Sequence, residues 1–119
     1  MKKSFLTKTV LITFVLITSV SLAASIKSVD DVTIEAPDTH SGGEIQLSGE
    51  AEGNELTHIA IKKQINGDFW EFIDEEDCSG STCSISASDT PSEEDVTYKV
   101  VSEAGDIDEG EEIKTISYT

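Results

Sequence analysis

Between His58 and Ile73 the chain reads HIAIKKQINGDFWEFI, two runs of strand-forming residues joined by Asn66-Gly67. A two-residue type I′ hairpin needs positive φ at both central positions, and Asn-Gly tolerates that well. The stretch therefore predicts an antiparallel hairpin turning at Asn66 and Gly67. Ile59, Ile61 and Ile65 share one face of its first arm, while Lys62 and Gln64 point the other way. Lys63 falls on the apolar face, so its ammonium must reach out at an edge or the strand must twist there. The return arm carries Phe69, Trp70, Phe72 and Ile73, which puts apolar groups on both of its faces. One aromatic ring is expected to stay partly exposed.

The same period of two runs through the rest of the chain after residue 24. VTIEA sets Val32, Ile34 and Ala36 on one face, and Pro37 ends the run. EIQLSGEA turns Ile45 and Leu47 inward, with Gly49 expected at a bend or bulge. STCSISAS alternates Cys83, Ile85 and Ala87 against Ser84, Ser86 and Ser88, and VTYKVVSEA aligns Val96, Tyr98 and Val100. In EIKTISYT, Ile113 opposes Ile116 and Tyr118, which predicts a bulge or a change of partner. Turn chemistry interrupts these runs every roughly 8 to 12 residues, and no helical period lasts for three turns. The reading is all-β: an immunoglobulin-like sandwich of about seven antiparallel strands, with no helix.

The N-terminus carries Lys2, Lys3 and Lys8, the apolar run VLITFVLITSVSL, and the small residues SLAAS. That order is the pattern of a secretory signal peptide cut after Ala23 or Ala24. The apolar run is short of the ~20 residues of a membrane span, and no Cys follows the cut to carry a lipid. The expected organisation is a signal peptide over 1–24, a polar lead-in over 25–30 and one sandwich domain over 31–119, with a secreted or cell-envelope location. The chain is also compatible with being one piece of a longer multi-module protein.

Composition narrows the partners. The formal charge is -16, and it drops by three to -19 once the leader's three lysines, which have no acidic neighbours there, are removed. The chain has no Arg. Such a surface repels phosphate backbones and anionic lipid heads, so nucleic-acid binding and membrane insertion of the mature domain are not expected. The expected partners are other surface or extracellular proteins, or further copies of the chain.

The chain resembles the Ig-like and PKD-type β-sandwich modules of secreted archaeal and bacterial surface proteins. APDTHSGGEIQLSGEA is similar to their opening strand pair, HIAIKKQINGDFWEFI to their hairpin with an Asn-Gly turn and a following Trp, and SEEDVTYKVVSEAGD to their penultimate strand. The likeness spans residues 30 to 119 and is one of pattern. The chain departs from antibody-type domains in having no Cys on both central strands, and from PKD modules in lacking a Trp-Asp-Phe/Gly run. The resemblance implies a non-enzymatic module of cell-surface structure, adhesion or protein–protein contact.

Few residues offer chemistry. Cys78 and Cys83 are the only cysteines. In an oxidising compartment such a pair reads as a structural disulfide, ahead of a redox switch or half of a zinc site, which wants four ligands. His40 and His58 read as surface residues. The acids of DEED (74–77) and DIDEGEE (106–112) make calcium at Asp74, Asp77, Asp106 and Asp108 the alternative cofactor, the leading expectation being none. With calcium would come a carbohydrate- or ligand-binding role, using Phe69 and Trp70 as a stacking platform. A third role is assembly by β-strand addition, with the segment around SIKSVDD as donor. No Gly-x-Ser-x-Gly element is present, and no catalytic residue is assigned.

Overall fold

Alternation along each strand fixes which side chains can share a core, and cross-strand register decides which of them meet. The computed structural model describes residues 26–65, 67 and 69–119. The expected signal peptide and Asn66 of the hairpin turn lie outside the described residues. Eight strands form: β1 (Ser28–Glu35), β2 (Thr39–His40), β3 (Ile45–Asn54), β4 (His58–Ile65), β5 (Phe69–Asp77), β6 (Thr82–Asp89), β7 (Val96–Ala104) and β8 (Asp108–Tyr118). They build two sheets, ordered β1-β3-β6 and β2-β8-β7-β4-β5. Every pairing is antiparallel except the short parallel one between β2 and β8.

The inner faces follow the sequence pattern closely. In the three-stranded sheet, Val32, Ala51 and Cys83 stand in one register row, and Ile34, Gly49 and Ile85 in another. In the five-stranded sheet, Ile61 pairs with Val100 and Val96 with Ile116. These rows, with Leu47, Leu56, Ile59, Tyr98 and Ala104, make one core between the sheets. Burying a side chain such as Leu47 stabilises the fold by about 1.5–3 kcal/mol relative to exposure.

Four expectations are corrected. Gly49 marks no bulge: β3 runs straight through it in register with β1 and β6. Its lack of a side chain serves the space between the sheets, since a Cβ there would lie 2.5 Å from Cγ2 of Val100. The bulge falls instead in β5, where Ile61 faces Asp74 and Lys62 faces Phe72, so that Ile73 is skipped. β8 keeps unbroken register with β7, and Ile113 simply faces outward while Ile116 is buried. Finally, β1 opens at Ser28, inside the expected lead-in, and Thr39–His40 form a strand where only a loop was expected.

Candidate functional site

The outer faces of the two sheets differ in chemistry. On the three-stranded sheet the outward rows are polar, as in Thr33–Glu50–Ser84 and Glu35–Ser48–Ser86. On the five-stranded sheet one outward row crosses four strands as Phe72–Lys62–Lys99–Ile113. Phe72 is 51% exposed and Ile113 47%. Trp70 stands on the same face, two residues from Phe72, and is half-buried.

Lysines hold these rings in place. The Lys62 ammonium lies 4.6 Å from the centroid of Phe72, and that of Lys99 lies 4.3 Å from the centroid of Trp70. Such contacts are worth about 0.5–1 kcal/mol at exposed sites, because the ring face is electron-rich. Lys99 also lies 3.7 Å from Oε1 of Glu111. Next to them Thr97 and Thr115 share a hydrogen bond of 2.9 Å between their hydroxyls. The result is a patch of aromatic rings and lysines on an otherwise acidic molecule.

Toward the other end of this face the charge turns negative around His58. Its Nε2 is 2.9 Å from Oε1 of Glu75, and its Nδ1, buried and without a hydrogen bond, is 3.4 Å from Oε1 of Glu103. His58 thus bridges β5 and β7 instead of standing free. His40, expected at the surface, is buried. Its Nδ1 accepts from the Gly42 amide at 3.1 Å, its Nε2 is 2.8 Å from the Glu94 carbonyl, and its ring packs on Tyr118. That pattern requires the neutral ring protonated on Nε2, which ties β2 to the loop ahead of β7.

A second polar cluster closes the end of the sandwich near the hairpin. Lys63, which had no obvious place on the apolar face, donates to Oδ2 of Asp89 at 3.0 Å, and the Tyr98 hydroxyl donates to the same oxygen. Burial, and then the hydrogen bond to the Asp89 carboxylate with its negative charge, push the Tyr98 phenol well above the usual tyrosine range. This cluster ties the two sheets together through the Asp89 carboxylate.

Cys78 and Cys83 are bonded to each other, with Cα atoms 5.8 Å apart. The pair spans the short crossing from β5 in one sheet to β6 in the other. The loop it closes is docked on the β3–β4 turn, where the Leu56 and Gly53 amides donate to the carbonyls of Gly80 and Ser81.

The calcium candidates do not converge. Asp74 and Asp77 lie on β5, Asp106 in the β7–β8 turn, and Asp108 at the start of β8, where its carboxylate accepts from the Val29 amide. β5 and β8 are three strand spacings apart, about 14 Å. Among the described residues no group of three or more His, Cys, Asp or Glu side chains is placed to hold a metal ion. Of the aromatic platform, Phe69 is 61% exposed, while Lys99 covers one face of Trp70. Sequence reasoning named Phe69 and Trp70 but missed Phe72, Lys62, Lys99 and Ile113 as a unit. The signal was there in the shared parity of Lys62, Gln64 and Trp70, but the register joining three further strands is set by tertiary pairing.

No protein-family model matches the sequence, and no curated protein matches it. Solved structures do match in fold. The sulfur carrier protein SoxY from Chlorobium limicola f thiosulfatophilum superposes with a TM-score of 0.64 at 15% identity, over 87% of this chain and 96% of that one. The PKD domain of an M14-like peptidase from Thermoplasmatales archaeon SCGC AB-540-F20 gives 0.50 at 10% identity, over 77% and 94%. The fold is immunoglobulin-like. At these identities the likeness carries the architecture and nothing of either protein's activity.

Proposed function

We propose that this protein is an exported, non-enzymatic Ig-like module that contacts another extracellular or cell-surface protein through the outer face of its five-stranded sheet. One observation carries the reading: of two outer faces on the same sandwich, only this one presents Trp70, Phe72 and Ile113, with Lys62 and Lys99 in register between Phe72 and Ile113 and each stacked on an aromatic ring. Exposed apolar patches rimmed by polar groups are a mark of interaction surfaces. The leader pattern and the disulfide support export.

The likeness to a sulfur carrier brings no carrier role with it. Both cysteines of the sequence are bonded to each other, and no free thiol is left to take a sulfur atom. Donation of the segment around Ser28–Asp31 to a neighbour is not favoured either, because Ser28, Val29 and Asp31 already pair with β3.

The test compares retention of exported proteins on the immobilised chain and on two variants. Phe72→Ser with Ile113→Thr should lose a retained protein that Thr33→Ala with Ser84→Ala, on the opposite face, keeps. Equal retention by both variants would overturn the reading.

A further inference from the structure

The geometry points to the free edge of β5 as an acceptor for an added strand, taken from a partner segment of consecutive strand-forming apolar residues beside a run of lysines or arginines. This deepens the contact reading above and rests on it. Among the described residues β5 is the last strand of its sheet, paired with β4 on one side only. A strand in that position offers a row of unpaired amides and carbonyls.

Two of the other terminal strands are blunted: β2 has two residues, and β1 is broken by a register shift between Val29 and Asp31. β6 is unbroken, but its outward side chains are Ser and Thr, with no apolar anchor for a partner. The first half of β5 carries one charge, Glu71, among apolar side chains. Phe69 and Phe72 are its two exposed rings, and their partners Ile65 and Lys62 lie on opposite faces of β4. A partner lying flat on the outer face would cover Phe72 and leave Phe69 in water. An added strand sends side chains alternately to both faces and so covers both rings.

The second half of β5 sets the partner's charge. Asp74, Glu75, Glu76 and Asp77 are all exposed, and the Glu75 amide is already taken by the Asp74 carboxylate at 2.9 Å. Main-chain pairing is therefore confined to Phe69–Ile73, up to and including the bulge residue, about 17 Å of strand. Beyond it the acids call for cationic side chains.

A second copy of β5 does not meet this demand. Antiparallel self-pairing over Phe69–Ile73 is centred on Glu71 and would set that carboxylate on its own copy while leaving the acids of 74–77 without cations, and parallel pairing would set each acid on its own counterpart. Like charges directly opposed are destabilising. The occupant is a foreign, basic strand.

Isotope-labelled exported chain is titrated with a synthetic peptide, a lysine run followed by alternating valine and isoleucine, which suits antiparallel addition. A second peptide has the same sequence with every backbone nitrogen of its apolar run methylated. Edge addition predicts slowed amide exchange within Phe69–Ile73 for the first peptide and not the second, and several-fold weaker binding to Phe69→Ser. Identical responses to both peptides would show charge attraction alone and overturn the proposal. Shifts centred on Lys99 and Ile113, with β5 unprotected and Phe69→Ser unaffected, would overturn edge addition while leaving the outer-face reading standing.

Discussion

The hydroxyl of Tyr98 donates to Oδ2 of Asp89 across 2.6 Å, joining the middle of the five-stranded sheet to the last residue of β6 in the other sheet. Lys63 donates to that same oxygen from β4. One carboxylate thus satisfies a lysine on the apolar face and a fully buried phenol.

Removing the phenol's oxygen should leave the ion pair and take away one charge-assisted hydrogen bond. Tyr98→Phe is expected to lower unfolding free energy by about 1.5–3 kcal/mol, read from urea denaturation at neutral pH. The same variant settles a pH effect. Folding raises the Tyr98 pKa, so the native state keeps a proton that the unfolded chain gives up above the ordinary value of 10.0. The contribution is fully present below that pH and is lost as pH rises beyond it. Stability of the parent chain should fall above pH ~10, with a slope of up to about 1.4 kcal/mol per pH unit from this group. Tyr98→Phe should remove that part of the slope.

Gly49→Ala tests the spacing between the sheets. The added Cβ would lie 2.5 and 2.7 Å from the two methyl carbons of Val100, so one strand must shift. A loss of about 1–3 kcal/mol is expected in thermal or urea unfolding. Adding Val100→Ala to Gly49→Ala should recover part of that loss, so the two changes together should be less harmful than their sum.

The disulfide should matter for stability and not for contact. Replacing Cys78 and Cys83 together by Ser is expected to cost about 2 kcal/mol, the chain-entropy value for so short a loop. Retention of a bound protein on the outer face should be unchanged once the variant is kept below its lower melting temperature.

Much of the fold was legible because strand parity is local. Val96, Tyr98 and Val100 were placed inward by alternation alone, and all are buried. Asn66-Gly67 marked the β4–β5 connection, and Gly67 has a φ of +77°, the conformation that glycine supplies at such a turn. What local pattern could not supply was pairing at a distance. Lys63 looked misplaced until Asp89, 26 residues on, came beside it. His40 seemed a loop residue, because its partners Glu94 and Tyr118 are far along the chain. Gly49 read as a bend for a similar reason: the sequence shows a missing side chain, and only the facing sheet shows what fills the gap. The Phe72–Lys62–Lys99–Ile113 row required the register of four strands at once.

The Cys78–Cys83 bond has a mechanical consequence for β5. It anchors the acidic end of that strand covalently to β6, while the opposite end follows β4 through the connection that holds Gly67. Under tension the strand can therefore peel from the turn inward but cannot unzip from the cysteine end without first loading a covalent bond. A partner pulling from one direction would meet a zipper, and from the other a hook.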